Sequence, residues 1–211
     1  MAPLTALAAC MAIAIAPSIA LRIQADHTTA TGETRSIGLD DGSVAHLQPE
    51  SAIAIDFDGT ERRVRIVKGG AFFEVAHDAS LPFRVAARKV TTTVLGTAFD
   101  VRLTDDDTAV AVRRGQVGVA RPPEREQLNP GDWIRIDREG SVRRGAVPPD
   151  EVGAWMDSQL IARDRPLADV MEEIGGYYGG VIVLTSDTLG NRRVSGVFNL
   201  GDPVGALRAM E

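Results

Sequence analysis

Phe99-Asp100-Val101-Arg102-Leu103 alternates apolar and charged side chains with a period of two, the pattern of a strand that buries one face and wets the other. The same beat extends in both directions. Upstream, Ile53, Ile55 and Phe57 alternate with Ala54 and Asp56, Val64 and Ile66 alternate with Arg65 and Val67, and Phe83 and Val85 follow. Downstream come Val110 and Val112, Val117 and Val119, then Ile134 and Ile136. Turn signals separate the runs at Asp40-Asp41-Gly42-Ser43, Asp58-Gly59, Lys68-Gly69-Gly70 and Asn129-Pro130-Gly131-Asp132. Short strands in succession with no helical stretch predict an all-β unit over residues 28–147, either a sandwich or a solenoid-like stack.

Beyond Val147-Pro148-Pro149 the period changes. Leu167, Val170, Met171 and Ile174 fall at i, i+3, i+4 and i+7 behind Pro166, which predicts an amphipathic helix with Asp164 as a candidate cap and an end at Gly175-Gly176 or Gly179-Gly180. A strand from Gln159 to Ala162 precedes it. Two strand candidates follow, Val181-Ile182-Val183-Leu184 and Arg193-Val194-Ser195-Gly196-Val197-Phe198, on either side of a turn from Asp187 to Asn191. Asp202-Pro203 then opens a second helix through Val204, Leu207 and Met210. Residues 152–211 therefore predict a small α/β unit, and the chain as a whole reads as mainly β followed by α/β. The expected closing strand of that unit is missing, so the unit reads as incomplete at its C-terminus.

Ahead of both units, Ala2 to Leu21 is twenty residues without a charge, about 30 Å as a helix and long enough to cross a bilayer. A transmembrane helix over residues 2–21 is the preferred reading. A signal peptide would want cations ahead of the run, and a core helix would want a polar face.

Composition narrows the function classes. The 211 residues are 44% hydrophobic, enough for a real core, and carry 23 Lys and Arg against 29 Asp and Glu for a net charge of -6. No basic cluster offers a phosphate backbone its counterion-releasing contacts, so no nucleic acid is expected as a partner. Cys10 is the single cysteine and lies in the apolar run, so the remaining chain has no thiol for a disulfide, a zinc cage or a nucleophile. Glu74, His77 and Asp78 lack a second nearby histidine and the spacing of a ligand set, so no metal or other cofactor is expected, and no Ser/His/Asp cluster suggests an enzyme. Asp41-Gly42-Ser43 suits a tight hairpin turn, and Phe72-Phe73 sends one aromatic to each face of a strand, so that at least one is core.

Four motifs in order carry a resemblance. They are Ile37-Gly38-Leu39-Asp40-Asp41-Gly42-Ser43, Gly69-Gly70-Ala71-Phe72-Phe73-Glu74-Val75-Ala76-His77-Asp78, Pro82-Phe83-Arg84-Val85, and Val94-Leu95-Gly96-Thr97-Ala98-Phe99-Asp100-Val101. Together they resemble the FecR family of bacterial membrane-bound sigma-factor regulators. The tail from Arg165 through Tyr177-Tyr178-Gly179 to Phe198 is similar to the domain that follows in that family, itself related to the short N-terminal domain of secretins and TonB-dependent transducers. The resemblance implies an inner-membrane, single-span protein with residues 22–211 in the periplasm. It would receive a signal from the signalling domain of a TonB-dependent outer-membrane receptor and control an ECF sigma factor in iron or siderophore signalling, with an intramembrane protease as a further partner. The family's cytoplasmic sigma-binding segment, which precedes the span, is absent from this sequence.

Two sites follow from these readings. An open sheet edge at Arg193, Val194, Ser195, Gly196, Val197 and Phe198 is the candidate partner-binding element, because unpaired backbone groups accept a further strand. At Gly96-Thr97 a threonine hydroxyl follows the least hindered carbonyl a chain can offer, and the resemblance implies self-cleavage there by an acyl shift. A bend between two strands explains the same pair without chemistry. A membrane-anchored β-rich module for a glycan or cell-envelope polymer is the alternative function. It is disfavoured by an aromatic content of 5% and by the separation of Trp133 from Trp155.

Overall fold

The computed structural model describes residues 24–210. The expected span at 2–21 lies outside them, and no described helix is long and apolar enough to cross a membrane. Thirteen strands form one curled sheet: β1 (His27–Thr28), β2 (Arg35–Gly38), β3 (Val44–Leu47), β4 (Ala52–Phe57), β5 (Arg62–Glu74), β6 (Phe83–Ala87), β7 (Val90–Val94), β8 (Ala98–Leu103), β9 (Asp107–Arg114), β10 (Val117–Arg121), β11 (Glu124–Leu128), β12 (Asp132–Asp137) and β13 (Val142–Ala146). The central path runs β11-β10-β7-β6-β5-β8-β9-β12-β13.

The long strand β5 joins two half-sheets. Its first part, 62–68, pairs with β4 and in parallel with β6, whereas 69–74 pairs with β3 and β8. Val64, Ile66, Phe83 and Val85 from one half meet Phe73, Phe99, Val101 and Val112 from the other in a single core, with Phe73 stacked on Phe99 at 5.4 Å between ring centroids. The sheet curls so that both halves contribute to this one core.

Lys68-Gly69-Gly70 is not the turn that its composition predicts. It lies inside β5, at the point where the strand passes from one half-sheet to the other. Gly69 has φ +71, and a Cβ there would stand 2.3 Å from Ser51 Oγ and 2.8 Å from Ser51 Cα, so only glycine fits. The Ser51 hydroxyl accepts from Gly70 N–H and donates to Gly70 C=O, each at 2.9 Å, so the backbone groups freed by the bend stay satisfied. The expected hairpin turn at Asp41-Gly42-Ser43 is present between β2 and β3, with Ser43 N–H donating to Asp41 Oδ1.

The second unit comprises β14 (Gln159–Pro166), α1 (Leu167–Gly175), α2 (Asp187–Gly190), β15 (Arg193–Asn199) and α3 (Pro203–Arg208), reached through two short 3-10 turns. Leu167, Val170 and Ile174 of α1 are buried as their spacing predicts. Its N-cap is Pro166 and no side chain caps it, so Asp164 does not have the expected role; its backbone there sits at φ 50. Residues 187–190 make a single helical turn capped by Ser186 rather than an open turn. Residues 181–184, expected as a strand, pair with nothing: β14 and β15 form a two-stranded sheet, and Val181 and Val183 are 86% and 73% exposed. Apolar alternation alone does not make a strand when no ladder partner is in reach.

Phe72 and Phe73 are both fully buried, because both faces of β5 are covered: Phe73 points into the core shared by the two half-sheets and Phe72 into a second core with Trp155, Val170, Ile174 and Phe198. Around that second core the two units are tied by charge. Arg102 of β8 donates to Glu173 of α1 at 2.6 Å, Arg165 donates to the same carboxylate at 2.9 Å, and Arg135 of β12 reaches Asp169 at 2.6 Å. Trp155 Nε1 donates to Asp100 at 2.9 Å, while Arg113 donates to the Val152 carbonyl at 2.8 Å and lies 4.7 Å over the Phe72 ring. Burial pushes the Glu173 carboxyl up, but Arg102 and Arg165 outweigh it and hold the group at about 2. Asp100 goes the other way, to about 6, because burial outweighs the Trp155 hydrogen bond and Arg102.

Two measurements check this architecture. Gly69→Ala is expected to destabilise the protein by about 3 kcal/mol through positive φ and a backbone clash, whereas Gly38→Ala, with no atom within 4 Å of the new methyl, changes stability by less than about 1 kcal/mol in urea melts. Asp100 has its carboxyl raised in the folded state, so its ionisation opposes folding above pH 6. Asp100→Asn is therefore expected to stabilise by about 3 kcal/mol at pH 8, with the gain shrinking as pH falls through 6 and vanishing below about 3.8. Thermal melts across that range read it as a Tm rise of several degrees that disappears in acid.

Candidate functional site

Arg193, Val194, Ser195, Gly196, Val197 and Phe198 all lie on β15, whose single partner among the described residues is β14. Phe198 is buried opposite Leu160, and Val194 is half-buried against the second core. The outward set is Arg193, Ser195 and Val197. Arg193 donates to the Asp164 carbonyl at 2.7 Å, and Ser195 Oγ accepts from Asp164 N–H at 2.9 Å. These contacts bridge the register shift between β14 and β15 at Ala162/Arg165. Val197 stays 65% exposed, and with Val181 and Val183 it gives this unit large exposed apolar side chains. The predicted edge is thus a strand with an unpaired side and an apolar residue on its outward face.

Gly96 and Thr97 lie between β7 and β8, as the strand pattern predicts. The segment is laid against the end of β5 and the residues after it, with Val75 N–H donating to the Thr97 carbonyl at 2.9 Å and Asp78 N–H donating to the Leu95 carbonyl at 2.8 Å. Thr97 is 3% exposed, and its Oγ1 is buried with no hydrogen-bond partner. Thr92 Oγ1 shares that state, but on a core-facing position inside β7 with no glycine carbonyl before it. A hydroxyl buried without a partner forgoes about 1 to 3 kcal/mol, so its retention calls for a reason.

Two neighbours confine the peptide. A Cβ on Gly96 would stand 2.6 Å from His77 Nδ1 and 2.7 Å from His77 Cα; a Cβ on Gly115, at φ +82, would stand 2.7 Å from Thr97 Cγ2 and 3.3 Å from the Gly96 carbonyl oxygen. An open cleft of about 620 Å³ runs alongside, lined by His77, Gly96, Thr97, Gln116, Arg125 and Glu126.

The histidines divide as follows. His46 bridges Ser36 Oγ at 2.7 Å and Glu74 at 3.2 Å across β2, β3 and β5, while His77 is exposed and packs on Gly96. The sequence paired neither His46 with Glu74 nor His77 with Gly96, because both contacts span elements and carry no spacing signal. The inter-unit ion cluster was missed for a related reason: Asp100 and Arg102 read as the wet face of an alternating strand. Trp155 and Trp133 border one cleft of about 340 Å³ between the units, although Trp155 itself is buried.

Residues 25–118 match the family model described as FecR protein. Two crystal structures of a candidate anti-sigma factor from Parabacteroides distasonis share the fold, with TM-scores of 0.81 and 0.80 at 28% identity. Each alignment covers 87% of this chain, and 89% and 88% of the other chain respectively. No curated protein matches the chain. The structural likeness spans both units, while the sequence match ends in β10. The stretch over residues 25–118, which includes Gly96-Thr97, is similar to the domain of the FecR family.

Proposed function

We propose that this protein is a sigma-factor regulator of cell-surface signalling, held in the inner membrane by residues 2–21, with the two described units in the periplasm. The observation that carries the reading is the FecR domain within a two-unit fold shared across 87% of the chain with a candidate anti-sigma factor. In this reading the second unit is the receiver. The signalling domain of a TonB-dependent outer-membrane receptor adds a strand to the free side of β15, where backbone groups supply affinity and Val197 supplies an apolar contact. The iron or siderophore signal, the ECF sigma factor and the intramembrane protease are the remaining members of the same proposal.

Self-cleavage at Gly96-Thr97 belongs to this reading, on a separate observation. The Thr97 hydroxyl is buried, unpartnered and one bond sequence away from a glycine carbonyl, so no hydrogen bond has to be broken before it attacks. A cut there leaves β1 to β7 on one fragment and β8 to β15 on the other. The β5–β8 ladder, with six registered pairs from Gly69↔Leu103 to Glu74↔Ala98, holds them together.

Titration calorimetry with the signalling domain of a candidate receptor tests the receiver assignment. Val197→Lys is expected to weaken binding at least tenfold, about 1.4 kcal/mol, and removal of residues 152–211 to abolish it; unchanged binding after that deletion refutes the assignment. Intact-mass spectrometry of the purified protein tests the cut. Fragments ending at Gly96 and beginning at Thr97 are expected, lost in Thr97→Ala and kept in Thr97→Ser, while a single intact mass after prolonged incubation reduces the pair to a structural bend.

A further inference from the structure

An acyl shift at Gly96-Thr97 requires a hydrogen to travel. It must leave Thr97 Oγ1 as that oxygen bonds to the Gly96 carbonyl carbon, and a hydrogen must reach the Thr97 nitrogen before the C–N bond breaks, since an amide anion is too basic to depart. Nothing in the packing accepts from Thr97 Oγ1. The titratable side chain packed on the acyl residue is His77, whose Nδ1 stands 2.6 Å from where a Gly96 Cβ would lie. Neutral imidazole carries both an acceptor and a donor, so it can take one hydrogen and return another. His77 is also exposed, so burial alone gives little reason for an imidazole there rather than a smaller side chain.

We infer that His77 is the proton-transfer residue for cleavage at Gly96-Thr97, an inference that rests on the self-cleavage reading above. The hydrogen of Thr97 Oγ1 passes to His77 through one water of the cleft that both residues line, as Oγ1 bonds to the Gly96 carbonyl carbon and the π pair moves onto the carbonyl oxygen. His77 then gives a hydrogen to the Thr97 nitrogen, the oxyanion re-forms the carbonyl, and the C–N bond breaks with its pair on the now protonated nitrogen. The product is an ester joining the Gly96 acyl group to the Thr97 side chain, with a free amine on Thr97. Water then opens the ester, giving its hydroxyl to the Gly96 carbon and a hydrogen to Oγ1. Gly115 serves as the opposing wall, holding Thr97 Cγ2 and the Gly96 carbonyl in place.

The charged groups around His77 are few. Arg125 and Glu126 of β11 line the same cleft. Asp78 has its carboxylate turned to Ser80 and Leu81, Glu74 is engaged with His46, Arg62 points to the Ala76 and Asp78 carbonyls, and Arg114 ends β9 opposite Ala98.

The test times cleavage of the full chain, made in a cell-free reaction with labelled methionine, stopped, and moved to buffers from about pH 5.5 to 8.5. The wild-type rate is expected to fall on the acid side, because a protonated imidazole has no acceptor. His77→Ala and His77→Gln are expected to slow cleavage at least tenfold and to flatten that fall, and added imidazole should restore His77→Ala through the open cleft. Circular dichroism melts of the same variants carrying Thr97→Ala, which cannot cleave, verify that the fold persists. Cleavage by both variants at the wild-type rate and pH profile overturns the inference, as does a slower rate that keeps the wild-type profile and ignores imidazole, which marks His77 as packing only. A wild-type chain that stays intact overturns the self-cleavage reading and this inference with it; a wild type that cleaves beside indifferent variants overturns this inference alone.

Discussion

The fold depends on one strand that serves two half-sheets. β5 changes partners at Gly69-Gly70, and the change works because the Ser51 hydroxyl bonds both backbone groups of Gly70 while Gly69 leaves room for Ser51 itself. Without that hinge the strand would have to end, and Phe73 could not stand against Phe83 and Phe99 together at 5.8 and 5.4 Å. Arg62, at the other end of β5, secures the same strand by bonding Asp41 at 2.8 Å and the Leu81 carbonyl at 2.7 Å, so the hairpin turn after β2 and the approach to β6 are referenced to one guanidinium. Removing one partner from a buried pair of this kind costs far more than the pair contributes net.

β8 extends the argument from fold to function. It begins directly after Gly96-Thr97 and carries Asp100 and Arg102, two of the residues that anchor the second unit, through Trp155 and Glu173. The candidate cut and the inter-unit ion cluster are therefore two ends of one strand. A force or displacement applied to the second unit reaches β8 through these contacts, as it reaches β9 through Arg113 and β12 through Arg135, and β8 is held in turn by its ladders to β5 and β9. Whether the units move together is set by a cluster in which Glu173 is held ionised by two guanidinium groups, and that cluster keeps its charge well into the acid range.

The alternation was legible wherever a strand has one wetter face, as in β4 and β6, because burial and period are then the same signal. It failed at Gly69-Gly70, where two glycines that usually mark a turn instead bend a continuous strand, and at residues 181–184, where apolar alternation has no ladder to join. Phe72 shows a further limit: a strand covered on both faces loses the contrast between them, and no local pattern announces that a second unit packs on its outer side. The contacts of His77 with Gly96 and of Asp100 with Trp155 link residues 19 and 55 positions apart in a single chain; they arise from topology and leave no trace in spacing. What the sequence did mark was the motif order, since each motif fixes a backbone event at which few residue types fit.

The position of Gly96-Thr97 also decides what a cut there would accomplish. The core cluster takes Phe73, Phe83 and Val85 from before the bond and Phe99, Val101 and Val112 from after it, so separating the fragments would expose aromatic and aliphatic side chains worth about 1.5 to 3 kcal/mol each. The ladders crossing the seam, β5 to β8 and β7 to β10, add backbone pairing that solvent would have to replace. A cut is therefore silent at equilibrium: it removes the covalent link and leaves the assembly. Its consequence appears only when something pulls on the second unit, because an intact chain transmits that pull through the β7–β8 connection, whereas a cut chain resists it with noncovalent contacts alone. The bond between Gly96 and Thr97 thus sits where breaking it changes the response to load without changing the resting fold.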